Sequence, residues 1–232
     1  MNITDRQKTI LENLIDGYIK QARPISSQWL EKEAGFDFSP ATIRNELLVL
    51  MEKGYLEQPH VSAGRIPTDR GYRFVVDDII QEIEKREEEL SQLIVDRFEL
   101  LDQLAESTTA LVLGYTPRSS TVWKQGWEHL LREPEFEERD SLWNLTKFVE
   151  DVEKHIADFL PAKAMEVYIG KENPFSKVKD FTIIVRRYSI DSQEDGLVAM
   201  VGPKRMEYEK NIELLISYGS INSPQDGRKK DN

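Results

Sequence analysis

Ser39-Pro40-Ala41-Thr42-Ile43-Arg44-Asn45-Glu46-Leu47-Leu48-Val49-Leu50-Met51-Glu52-Lys53-Gly54 decides how the first third of this chain is read. Serine is a good helix N-cap because its hydroxyl accepts from an unpaired first-turn N–H, and proline fits the first helical position because its missing N–H costs nothing there. Ile43, Leu47, Leu50 and Met51 recur at helical spacing and predict one buried stripe, and Gly54 predicts the stop. With that stripe inward, Ala41, Thr42, Arg44 and Asn45 point outward near the helix start. Those residue types suit a DNA major groove. Arginine can bind guanine O6 and N7 together, asparagine adenine N6 and N7, and a threonine or alanine methyl can meet the thymine methyl. The positions three and four beyond Arg44 are Leu47 and Leu48, so no acidic residue stands one turn on to neutralise it.

Upstream, Thr4-Asp5-Arg6-Gln7 reads as a capping box, and Ile10, Leu11, Leu14, Ile15, Tyr18 and Ile19 continue at helical spacing to about Lys20. Ala22-Arg23-Pro24 breaks that helix. Ser26 or Ser27 then caps a short second helix with Trp29, Leu30 and Ala34 inward and Gly35 as its stop. Downstream, Tyr55–Gln58 reads as a short strand, Ser62–Arg65 as a hairpin tip with Gly64 free to take positive φ, and Thr68-Asp69 as the start of another helix. Three helices followed by a small hairpin, with a short turn between helices two and three, is the plan of a winged helix-turn-helix. On that plan the candidate DNA-contacting residues are Ser27, Gln28, Ser39, Ala41, Thr42, Arg44, Asn45, Ser62, Arg65, Arg70 and Arg73. Hydroxyls and N–H groups at the start of the second helix suit phosphates, and Arg65 at the hairpin tip suits a minor groove or a phosphate.

From Tyr72 to about Leu113 the pattern reads as one long helix, or two, with Ile80, Ile83, Leu90, Ile94, Phe98, Leu101 and Leu104 in a roughly heptad stripe. Either it packs within its own chain, or it is a dimerisation helix. The second is preferred, because a small head gives it little to cover. Gly114-Tyr115-Thr116-Pro117 ends it. A helix from Asp140 or Ser141 follows, with Leu142, Leu145, Phe148, Val149, Val152, Ile156 and Phe159 inward. Then come strands at Ala164–Ile169, Phe181–Ser189 and Leu197–Val201, with a turn over 191–196, and a last helix burying Ile212, Leu215 and Ile216. The expected organisation is α+β: a DNA-binding head over 1–75, a helical dimerisation or linker region over 76–116, a small α+β domain over 117–218, and a disordered tail over 219–232.

Charge follows the same division. The chain carries 31 Lys+Arg against 42 Asp+Glu, a net charge of −11, yet residues 1–75 hold ten of each sign. The acidic excess therefore lies wholly outside the expected head. Without cysteine there is no disulfide or thiolate metal site. No apolar run reaches the roughly 18 residues of a membrane span and no secretory leader is read, so a cytoplasmic protein without a membrane partner is expected. His60, His129 and His155 share no metal-ligand spacing, and no nucleotide loop or hydrolase elbow is present, so neither a cofactor nor an enzyme is expected. The acidic runs at Glu87–Glu89 and 135–140 read as solvated faces, and Lys204-Arg205 after Gly202-Pro203 as a strand-to-helix corner rather than an anion site.

Ser39–Glu46, Gly54-Tyr55-Leu56-Glu57-Gln58-Pro59-His60, Ser62–Asp69 and Gly71-Tyr72-Arg73-Phe74 together resemble the HrcA family of heat-inducible transcription repressors. The likeness continues through Leu104-Ala105-Glu106, Leu111–Gly114, Leu130–Phe136, Ile169–Pro174 and Gly202–Tyr208. It implies a bacterial cytoplasmic homodimer with a winged helix head and a GAF-like domain. It also implies binding of an inverted-repeat operator, the CIRCE element, before chaperone genes, release by heat, and a chaperonin partner. Against the family's pattern the chain is shortened between Pro117 and Trp127, where further strands of the GAF-like domain usually stand, and Leu48 and Val49 replace an alanine and an acidic residue. Two other readings are a winged-helix regulator governed by a small-molecule effector and a protein-interaction module. Ligand-induced thermal stabilisation distinguishes the first, and binding insensitive to DNA competitor the second.

Overall fold

The computed structural model describes residues 3–36, 38–87, 97–159, 165–191 and 194–220. They form an α+β fold with antiparallel sheets, and the chain divides into two units, Met1–Glu82 with Lys204–Glu207 and Ile83–Pro203 with Tyr208–Asn232.

The first unit opens with α1 (Asp5–Gln21). Thr4 and Gln7 close the capping box reciprocally, each backbone N–H meeting the other's side chain at 3.2 Å. Ile10, Leu11, Leu14 and Ile15 are buried, and Ala22 ends the helix at φ 52°. In α2 (Ser27–Glu33) the cap is Ser26, whose hydroxyl accepts from Trp29 N–H at 3.1 Å, and Leu30 is buried. Trp29 packs on α1 at a glycine: a Cβ on Gly17 would fall 2.4 Å from its ring. In α3 (Pro40–Glu52) Ser39 accepts from Thr42 N–H at 3.2 Å, and Ile43, Leu47 and Leu50 are buried. Met51, expected in that stripe, is half-buried, and the fourth buried position is Glu46. Its carboxylate pairs with Arg6 and accepts from Gln7 Nε2 at 2.9 Å, while Lys53 Nζ donates to Gln7 Oε1 at 3.0 Å. A carboxylate taken out of water needs such partners, and here they bind α3 to the start of α1.

Two short strands, β1 (Leu56–Glu57) and β2 (Ile66–Pro67), pair antiparallel with Leu56 opposite Pro67. Ile25 extends the hairpin: its N–H reaches Arg65 O at 2.9 Å, and Arg65 N–H reaches Ile25 O at 2.8 Å. This corrects the expected reason for Gly64, which does not take positive φ. A Cβ there would lie 2.4 Å from Ile25 O, so glycine is needed for the close approach of two backbones. The unit continues into α4 (Asp69–Glu87), which it holds up to Glu82, with Tyr72 and Val76 buried.

The second unit holds α5 (Arg97–Ser107), β3 (Leu111–Thr116), β4 (Thr121–Gln125), α6 (Trp127–Leu130), α7 (Arg139–Lys154), β5 (Met165–Ile169), β6 (Phe181–Asp191), β7 (Glu194–Pro203) and α8 (Tyr208–Ser220). The strands form one antiparallel sheet in the order β4-β3-β7-β6-β5. Leu111, Leu113, Tyr115, Ile183, Val185, Leu197, Ala199 and Val201 join Leu145, Phe148, Val149 and Val152 of α7 in one core. The alternate positions serve α5 and α8, which pack on β3 and β6. Gly114 lets α5 approach, since a Cβ there would meet Leu101 Cδ1 at 2.8 Å.

Four expectations change. The one or two helices expected from Tyr72 to Leu113 are described as α4 up to Glu87 and α5 over Arg97–Ser107, with residues 88–96 outside the described ones, and the expectation fails at its end, where Leu111–Thr116 is a strand. Leu101 and Leu104, read as part of a dimerisation stripe, are buried inside the second unit (Ile80 is half-buried, and the side chains of Ile83, Leu90, Ile94 and Phe98 lie outside the described ones). Leu142, expected inward on α7, is 38% exposed. Of the expected disordered tail, 219–220 close α8 and 221–232 lie outside the described residues.

Candidate nucleic-acid interface

The N-terminal half of α3, the start of α2 and the hairpin loop enclose a cleft of about 480 Å³ lined by residues that include Ser26, Ser27, Gln28, Arg44, Ser62 and Arg65. Five of the eleven candidate contact residues thus share one cavity of the first unit. Ala41 and Asn45 are exposed on the outward side of α3, one turn apart, and Thr42 is half-buried, its hydroxyl 3.0 Å from that of Ser39. Ser39 therefore acts first as the cap that starts this helix.

The two arginines of the cleft feel one another. The Arg65 guanidinium is held below its ordinary range by partial burial and, next, by the positive charge of Arg44. Arg65 is steered by its neighbourhood, donating to Ala63 O at 3.2 Å and Gly64 O at 3.4 Å, with its Nε against the Met51 sulfur. Arg44 is exposed, and among the described residues no carboxylate pairs with it. Two cations near each other without an acidic partner make a site that an anion would relieve.

Arg70 and Arg73 are not brought to this cleft. Arg70 donates to Lys53 O at 2.8 Å, at the C-terminal end of α3, and lies 4.5 Å from the centre of the Tyr55 ring. A guanidinium on the last carbonyls of a helix answers the helix dipole. Arg73 pairs with Asp77 one turn along α4 at 3.3 Å. Lys204 and Arg205 also have protein partners within the first unit, Asp69 at 2.8 Å and Ile19 O at 3.0 Å.

Sequence reasoning missed Gln58, Val61 and Ile25. Gln58 Nε2 donates to Val61 O at 2.9 Å and Ala63 O at 3.0 Å, which fastens the hairpin loop and leaves Val61 fully exposed at its tip. A glutamine at the strand end, three and five residues from those carbonyls, is the signal that was available. The bridge of Ile25 to Arg65 has no local signal, because the two are distant in sequence.

The HrcA protein C-terminal domain model matches residues 46–212, more than two thirds of the chain. The chain belongs to the HrcA family. Among its relatives, the heat-inducible transcription repressor HrcA of Natranaerobius thermophilus is 28% identical, over 93% of this chain and 94% of the relative. That of Brevibacillus brevis is 26% identical, over 92% and 95%. Those alignments extend over 325 and 323 residues, so both HrcA relatives carry stretches that these 232 residues lack. A crystal structure described only as a hypothetical protein shares the fold, with a TM-score of 0.75 at 21% identity over 94% of this chain and 95% of that one. HrcA is a family named for transcription repression, not catalysis. Among the described residues no helix is long and apolar enough to cross a membrane, and no cluster of three or more His, Asp or Glu side chains is placed to hold a metal ion.

Proposed function

We propose that this HrcA-family chain represses transcription by binding an inverted-repeat operator before chaperone genes, with the first unit acting as a winged helix-turn-helix. In this reading α2 and α3 are the helix-turn-helix, α3 is the reader, and the hairpin bearing Arg65 is the wing. The observation that carries it is the cleft in which Arg44 and Arg65 stand together beside the start of α2. Arg44 and Asn45 read base edges, Ala41 and Thr42 meet methyl groups or phosphate, and Ser27, Gln28, Ser62 and Arg65 hold the backbone. Arg70 closes the C-terminal end of α3, Arg73 pairs along α4, and both reach DNA only at the margin of the site.

The protein acts as a homodimer, so that two heads meet the two halves of the repeat. The second unit is a reduced GAF-like domain, and a chaperonin would find its apolar hold at Trp143 and Leu142 of α7, 72% and 38% exposed. Fluorescence anisotropy of a labelled inverted-repeat duplex against a scrambled one tests the central reading. A preference of about 10³-fold or more at moderate salt is expected for a specific repressor. Equal weak binding to both duplexes would remove this reading and favour a protein-binding role for the head.

A further inference from the structure

Two large apolar side chains of the first unit are exposed among its described residues, Leu48 at 44% and Val61 at 100%, and both border the proposed DNA face. Leu48 is the informative one. Along α3 the exposed positions are Ala41, Arg44, Asn45, Leu48 and Glu52, which recur at three- and four-residue steps and so form a single stripe. Leu48 stands one turn beyond Arg44, about 6 Å further along the helix axis. Glu52, one turn further again, is exposed and acidic, and a carboxylate there is repelled by phosphate. The usable part of the stripe therefore ends at Leu48. A lone exposed leucine is ordinary on a protein surface. This one directly follows the base-reading pair and has no polar atom with which to meet a base edge.

We infer that Leu48 is a specificity-determining residue that packs against the 5-methyl group of a thymine in the major groove, next to the bases read by Arg44 and Asn45. The inference rests on the DNA-reading role of α3. Thymine alone among the four bases carries a methyl group in that groove, so an aliphatic side chain there selects T·A over the other pairs. An alanine at this position would fall short of the same methyl, and a polar residue would select a different edge.

The test uses the whole 232-residue chain and a duplex enriched from a random pool by wild-type binding. Each thymine of the enriched half-site is replaced in turn by deoxyuridine, which removes only the methyl group, and affinity is measured for wild type and Leu48→Ala. Melting temperature is read in parallel to show that the variant is folded. At one thymine position per half-site the wild type should lose about fourfold, the weight of one buried methyl. Leu48→Ala should bind the parent duplex more weakly and show no further loss at that position. If wild type and Leu48→Ala lose equally at every replacement, or neither loses at any, the assignment of Leu48 is overturned while DNA reading by α3 stands. If no sequence is enriched, DNA reading fails and the assignment falls with it.

Discussion

Arg44 and Arg65 share a cleft and repel one another, yet their positions suit different tasks. Arg44 projects from the outward stripe of α3, whereas Arg65 lies back in the hairpin among carbonyls that aim it. A base reader needs the planar fork of arginine; a phosphate partner needs chiefly the charge. Arg44→Lys should therefore lose about 1–3 kcal/mol of discrimination against the scrambled duplex while retaining its salt dependence. Arg65→Ala should weaken both duplexes alike and flatten the slope of log affinity against log salt by about 1 per head. Salt titrations of the two variants separate these roles, and a uniform loss in Arg44→Lys would move Arg44 to the phosphates. Gly64 gives the matching test of shape. Gly64→Ala drives a Cβ into the Ile25 backbone and should cost on the order of 1–3 kcal/mol. Gly35→Ala, at φ +63° but with nothing within 4 Å, should cost about 1 kcal/mol. Thermal or urea melts decide it, and equal losses would mean that the bridge from Ile25 to Arg65 does not constrain the hairpin.

At the scale of elements, α7 shows what a helical pattern can and cannot reveal. Phe148 is fully buried, with its ring 5.2 Å from that of Phe181, while Trp143 on the same helix is 72% exposed. Phe148→Ala should cost about 3–5 kcal/mol, and Trp143→Ala should stay within about 0.5 kcal/mol, as read from urea midpoints. A large loss in Trp143→Ala would mean that this face is covered in solution. Capping residues and apolar period made α1, α2 and α3 legible, and period alone most of α7, because both signals are local. Leu142 was misread because an apolar residue at a helix start fits the stripe by period alone, and only packing decides whether anything lies opposite it. The strand at Leu111–Thr116 was missed for a related reason. Both faces of β3 are covered, so its residues form a continuous apolar run without alternation, which period cannot tell from a buried helix. β4 was not expected at all, because its only described local cue is the partner strand β3, with Thr116 and Thr121 paired across a turn of only four residues. In the candidate cleft Arg44 and Arg65 stand together as type and position suggested, whereas Arg70 and Arg73, expected beside them, have partners elsewhere. The Gln58 fastening and the Ile25 bridge depend on contacts across the fold and were not legible.

For the whole molecule, charge and symmetry act together. Outside residues 1–75 the chain carries 32 acidic against 21 basic residues, while the head is balanced. On the proposed reading an acidic body lowers affinity for any duplex, operator and random sequence alike, so binding depends on the contacts made by the head. On the proposed reading one head, with two arginines in its cleft, holds a half-site only modestly, and two heads on one duplex supply the occupancy at moderate salt. That arrangement makes spacing a measurable quantity. Inserting about 5 base pairs between the half-sites turns them to opposite faces of the helix, and inserting about 10 restores the face at greater separation. If the heads are held in a fixed pair, the half-turn insertion should reduce affinity to that of a duplex with one half-site, and the full-turn insertion should recover part of the loss. If both insertions bind as tightly as the parent repeat, the heads are joined loosely and palindromy reflects two independent sites. If the single half-site binds as tightly as the whole repeat, one head suffices and dimer formation does not contribute to operator recognition.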